Sequence, residues 1–239
     1  MSRKACLPAL LTVATFGPFL SVAQTNVNVR PSSLSGWNLW CSCWDESLPT
    51  SNAFLGVATL PTGGTEPALW MLTGSGSPHN SMAGAAWNGA PGPAIDTHLL
   101  SALKMLSYNT YVDKGSQLAT VADKTFAPYA VLSLAKSGTG QTTTYLSYEP
   151  RFNGTLIAGT WQTWNAATGS WWSTDYGTGK LGSLAAWLKV YPNARINSLA
   201  VEVGAGADYS YWNYKTCATS FLEVQFNGET FYKFLFTAL

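Results

Sequence analysis

Between residues 26 and 236 apolar and polar side chains alternate in short runs, the period of strands that bury one face. The runs are NVNV (26–29), AFLGVAT (53–59), PALWML (67–72), YNTYV (108–112), YAVLSL (129–134), TTYLSYEP (143–150), GTWQTW (159–164), WWSTDY (171–176), INSLAVEVG (196–204), FLEVQF (221–226) and TFYKFLF (230–236). Clusters of Gly, Pro, Asn and Ser punctuate them, such as PTGG (61–64), KSGTG (136–140), NAATGS (165–170) and FNGE (226–229). Many short strands with turns of this kind predict an all-β fold, an antiparallel β-sandwich of jelly-roll or concanavalin-like type. No linker separates one group of runs from another, so residues 24–239 read as one domain.

Two stretches carry helical spacing instead. In SLAAWLKVYP, Ser183 can cap a short helix with Leu184, Trp187, Leu188 and Tyr191 on one face, and Pro192 stops it. In DTHLLSALKML (96–106), Leu99, Leu103 and Leu106 fit a helix, although the chain continues as strand-like SYNTYV. Residues 77–93 have the weakest pattern and read as a long loop.

The run GTWQTWNAATGSWW (159–172) places four tryptophans around one turn. If the two sides form a hairpin, alternation sends Trp164 and Trp171 to one face and Trp161 and Trp172 to the other. One pair can then be core. The other faces solvent, a covering segment or a ligand. An exposed indole beside Thr, Gln and Asn side chains is suited to stack on a pyranose while the polar groups take its hydroxyls. Tyr148, on the neighbouring run, can join such a platform.

The N-terminus changes the picture of where this fold works. Arg3 and Lys4 precede an apolar stretch from Ala5 to Leu20, and Ser21-Val22-Ala23 follows with the small-x-small pattern of a cleavage site. Residues 1–23 therefore read as a secretory signal and the mature chain as extracellular, with no other segment of membrane-spanning length. Removing them leaves the 13 basic and 12 acidic residues within one charge of balance, which disfavours nucleic acid as a partner. Charged residues make up only 10% of the chain, so hydroxyls, amides and aromatic rings dominate its surface chemistry. Such a surface suits neutral glycans or copies of the same chain.

In an oxidising compartment a disulfide is expected among Cys41, Cys43 and Cys217. The favoured pairing joins the Cys41/Cys43 segment to Cys217, written Cys43–Cys217, with the choice between the two partners open. It would close a loop of about 175 residues and contribute on the order of 4–5 kcal/mol in the chain-entropy model. The Cys41-x-Cys43 spacing is too close for a usual zinc pair. GADYSYWN (206–213) and WDES (44–47) carry oxygen donors without an EF-hand spacing, and no metal or other cofactor is expected.

Catalytic patterns are sparse. There is no G-x-S-x-G elbow, His79 and His98 read as chance loop histidines, and GAGADY (204–209) and GTGKL (177–181) lack phosphate-loop spacing and read as turns. Among the strand-borne acids Glu149, Glu202 and Glu223, Glu149 lies two residues from Arg151 and reads as its ion-pair partner. Glu202 points away from Val201 and Val203. A cleft made by Glu149 and Glu202 stays open as a third reading, that of a carbohydrate-active hydrolase or lyase. Asn153-Gly154-Thr155 is a glycosylation sequon on an expected turn.

LSYNTYV (106–112), YLSYEPRFNGTLIAGTWQTWNAATGSWWST (145–174) and YPNARINSLAVEVGAG (191–206) together resemble a set of poorly characterised secreted proteins. In these, a leucine-serine-tyrosine-x-threonine-tyrosine strand precedes tyrosine-glutamate-proline, asparagine-glycine-threonine, tryptophan-glutamine-x-tryptophan, tryptophan-tryptophan-serine-threonine and tyrosine-proline-asparagine-alanine blocks. The resemblance spans residues 95–236 and implies a secreted, lectin-like β-sandwich without a catalytic set. The family's closing aspartate-asparagine-valine run has no counterpart in SFLEVQFNGETFYKF (220–234). The leading expectation is a non-enzymatic carbohydrate-binding module using Trp161, Trp164, Trp171, Trp172 and Tyr148. The alternative is a self-associating extracellular structural protein.

Overall fold

A computed structural model of the chain describes residues 24–42, 52–59, 65–73, 82–89, 94–114, 127–137, 141, 144–204, 215–227, 229 and 231–237. Residues 1–23, Cys43, His79 and the segments 44–47 and 206–213 lie outside the described residues.

The described strands, in chain order, are β1 (Gln24–Val29), β2 (Trp37–Ser42), β3 (Asn52–Thr59), β4 (Thr65–Thr73), β5 (Met82–Trp87), β6 (Leu103–Val112), β7 (Tyr129–Ala135), β8 (Thr144–Tyr148), β9 (Gln162–Asn165), β10 (Ser170–Ser173), β11 (Gly177–Ser183), β12 (Arg195–Val203), β13 (Lys215–Thr219), β14 (Phe221–Phe226) and β15 (Phe231–Phe236). One helix, α1 (Leu184–Val190), follows β11. Eight strands make one sheet in the order β1-β15-β14-β6-β13-β4-β3, with β9 also on β6; seven make the other, β11-β10-β8-β7-β12-β5-β2. The pairs are antiparallel except β1 with β15, which is parallel. The chain is an all-β sandwich, as the alternation predicts.

The core lies between the sheets, where inward residues of both meet. Trp37 of β2 and Trp87 of β5 pack edge-on or tilted against Phe234 and Phe236 of β15, with ring centroids 5.0–5.4 Å apart. Each such ring buries on the order of 200 Å² and anchors one sheet to the other. β13 and β14 run end to end along one side of β6, and the irregularity between them is held by Asn109. Its Oδ1 accepts from the Ser220 and Phe221 amides, and its Nδ2 donates to Ser220 Oγ.

Helix α1 forms as its residues dictate. The Ser183 hydroxyl accepts from the Ala186 amide, Leu184 and Trp187 are buried, and Tyr191 stacks on Trp187 before Pro192 ends the turn. The 96–106 helix does not form. Residues Ile95–Thr97 and Leu100–Ala102 are single 3-10 turns, and β6 begins at Leu103. Leu103 and Leu106 both reach the core because the pairing with β14 shifts between Gln225 and Phe226, leaving Lys104 as an extra residue on β6. A bulge of this kind imitates helical spacing.

The 77–93 segment is likewise not all loop. β5 lies inside the seven-stranded sheet between β12 and β2, with Ala83, Ala85 and Trp87 facing the core. The GTGKL turn reading is also corrected: residues 177–183 are β11, the edge strand beside β10.

Candidate functional site

The four tryptophans divide two and two, but not through a hairpin. β9 pairs with β6 in the eight-stranded sheet, whereas β10 pairs with β8 and β11 in the other. The 3-10 turn Ala166–Thr168 therefore carries the chain across the edge of the sandwich. Trp164 and Trp171 meet the common core from opposite sheets. Trp164 Nε1 donates to Thr110 Oγ1 and Trp171 Nε1 to the Ala166 carbonyl.

Trp161 and Trp172 consequently sit on two different outer faces. Trp161 is half-buried against Tyr111, which packs edge-on to Trp70 across Ala218. Its Nε1 is buried and makes no hydrogen bond. Trp172 stands beside Ser147 and is buried, its Nε1 donating to Glu149 Oε1 at 2.7 Å. Tyr148 is a core residue packed on Tyr108 and Trp171, and burial pushes its phenol up to about 12. The expectation that one Trp pair, joined by Tyr148, forms an exposed stacking platform is thus corrected: Tyr148, Trp164, Trp171 and Trp172 are all buried, and a ring buried on both faces cannot receive a sugar. Only Trp161 keeps part of its ring at the surface.

The cysteine expectation meets a boundary of a different kind. Cys217 is fully buried on β13, paired in register with Met71 and Val112. No disulfide occurs among the described residues, and Cys43 is outside them.

The acids separate cleanly. Glu149 is 2% exposed, with Arg151 Nε 2.6 Å from its Oε2 and Trp172 on its Oε1. Both oxygens are engaged, so Glu149 locks the end of β8 to β10. Glu223 pairs with Lys233 at 2.8 Å on the adjacent strand. His98 is buried on Phe226 and bonded to Glu229 at 2.7 Å, which ties the β14–β15 turn to the loop before β6. The sequon asparagine is built in as well. Asn153 Nδ2 donates to the Glu149 and Ser170 carbonyls while its Oδ1 accepts from the Ser170 amide. Protein secreted from a glycosylating host is therefore expected to carry no glycan on folded Asn153, as peptide mass analysis would read directly; a glycosylated, natively folded fraction would contradict this.

Glu202 differs from these. In register across the outer face of the seven-stranded sheet stand Trp40 of β2, Gly84 of β5, Glu202 of β12 and Tyr129 of β7. The next row on that face is Asn38, Ala86, Ala200, Val131, Ser147 and Trp172. Trp40 and Glu202 are two strand spacings apart, about 10 Å between Cα atoms, with Gly84 between them and the Glu202 side chain leaning over it. The glycine is required: a Cβ there would lie 2.6 Å from the Val201 carbonyl oxygen and 3.0 Å from Glu202 Cγ. Trp40 and Glu202 are each partly exposed. Burial pushes the Glu202 carboxyl up to about 7, against a hydrogen bond from Tyr129 that favours the ionised form.

Sequence reasoning places Glu202 opposite the valines and does not see Trp40 or Gly84 as its neighbours. The missing signal is β5 itself, whose MAGAAW has none of the β-branched residues that usually mark a strand. No protein-family model matches the chain, and no curated protein is significantly similar to it. Among the described residues, no helix is long and apolar enough to cross a membrane.

Proposed function

We propose that the protein is a secreted, non-enzymatic glycan-binding module whose ligand lies on the outer face of the seven-stranded sheet. The observation that carries this reading is the slot of Trp40, Gly84 and Glu202. The Trp40 indole can stack on the apolar face of a sugar ring, and the Glu202 carboxylate, whose side chain leans over Gly84, can accept from the ring's hydroxyls. Ala86, half-buried in the next row, continues the surface beside the slot. The secretory signal, the low charge and the resemblance to lectin-like secreted proteins support the same reading.

Hydrolysis finds less support. Cleavage of a glycosidic bond needs two carboxyls open to the substrate. Among the described residues, Glu149, the acid that follows β8 beside Tyr129, is closed by Arg151 and Trp172. Binding without turnover is what the face is equipped for.

The test is a pull-down of the mature protein on insoluble polysaccharides. Trp40→Ala is expected to lower retention at least about tenfold, a loss of roughly 1.4 kcal/mol, while Trp161→Ala leaves it within twofold. Retention carried by Trp161 and indifferent to Trp40 would place the ligand on the other sheet and overturn the assignment.

A further inference from the structure

Among the described residues, four carboxylates besides Glu202 have a basic side chain within hydrogen-bonding distance: Arg151 beside Glu149, Lys136 beside Asp175, Lys233 beside Glu223 and His98 beside Glu229. Glu202 has no such neighbour among the described residues. Its polar partner is the Tyr129 hydroxyl, a neutral group. The adjacent strands add nothing cationic on this face: β5 contributes Met82, Gly84 and Ala86, β2 contributes Asn38 and Trp40, and beyond Tyr129 the next charged residues are the paired Glu149 and Arg151.

We infer that the slot between Trp40 and Glu202 takes a sugar unit bearing a protonated amine, its ammonium set against the Glu202 carboxylate and its ring against the Trp40 indole. This rests on the glycan-binding reading and narrows it to an amino sugar. An aromatic wall attracts a cation through its π face, and a carboxylate in a partly desolvated slot attracts it more strongly than one in open water. The raised Glu202 titration follows from burial without a counter-charge, which the bound ammonium would supply. Below neutral pH, where the free sugar's amine is already charged and most of Glu202 is protonated, binding releases the Glu202 proton to the buffer and leaves the ion pair. No covalent step is involved.

The experiment is calorimetric titration of the secreted protein, at a mildly acidic pH where the sugar amine and most of Glu202 both carry a proton, with β-1,4-linked glucosamine oligosaccharides and with their fully N-acetylated counterparts. The expected result is a preference of about tenfold or more for the free amine, together with proton release read as a dependence of the heat on the buffer's ionisation enthalpy. Glu202→Gln is expected to abolish both, whereas Trp161→Ala, on the other sheet, is expected to leave them within twofold of wild type. Equal affinity for the two sugars, or a preference that survives in Glu202→Gln, overturns the inference and leaves the glycan-binding reading standing. Binding of neither sugar, nor of any polysaccharide in the pull-down, overturns both.

Discussion

Replacing Glu149 by alanine is expected to destabilise the fold by about 3–5 kcal/mol, the range for removing one member of a buried ion pair. The change strips the charge partner from the mostly buried Arg151 and the acceptor from Trp172 Nε1. It also frees β8 from β10 at the point where the chain turns towards Asn153, whose Nδ2 bonds the Glu149 carbonyl. Urea denaturation with an unchanged slope would measure it. Glu149→Gln, which keeps an acceptor for the indole but cannot neutralise the guanidinium, should fall between wild type and alanine. A loss under about 1 kcal/mol for the alanine variant would mean that the pair is not desolvated as its burial implies.

Glu202→Gln is expected to have the opposite sign and to depend on pH. The carboxyl titrates near 7 in the folded chain, raised from 4.5. The folded state therefore binds the proton more tightly, and stability falls as pH rises between those two values before levelling off above about 7. The amide resembles the protonated acid and does not ionise. The variant should match wild type near pH 4 and exceed it by up to about 3 kcal/mol at pH 8, from about 1.4 kcal/mol per pK unit less the solvent screening of a partly exposed group. Melting temperatures of both proteins across that range would show the divergence. Curves that stay parallel would place Glu202 in an ordinary solvated setting.

The contrast between these acids shows what a sequence can and cannot disclose. Arg151 two residues after Glu149 is visible as a pair, and the structure forms it. The outward direction of Glu202 follows from the valines on either side of it. Its neighbours do not, because they come from β2 and β5, and β5 is written in alanine, glycine and methionine. The strands with large or β-branched residues are legible because their burial alternates. β11, with three glycines, is not.

The tryptophan run shows a subtler limit. Alternation correctly groups Trp164 with Trp171 and sets them apart from Trp161 and Trp172. A hairpin and a crossing between sheets impose the same alternation, so the pattern groups the rings without saying which pair is inside or what lies over the other. The crossing separates the outer two onto opposite sides of the molecule, and the platform expected from a hairpin is lost with it. Leu103 and Leu106 mislead for a related reason, since a bulge at Lys104 lets residues an odd number apart share a face.

The parallel pairing of β1 with β15 has a kinetic meaning. Strands near opposite ends of the chain form the edge of one sheet, so Gln24–Val29 must wait, unpaired, until Phe231–Phe236 has been delivered. Closing so long a loop is slow, and folding on the millisecond-to-second scale of all-β domains is the natural expectation. Until its partner arrives Gln24–Val29 carries an open strand edge, and its pairing with Phe231–Phe236 is expected among the last steps of folding.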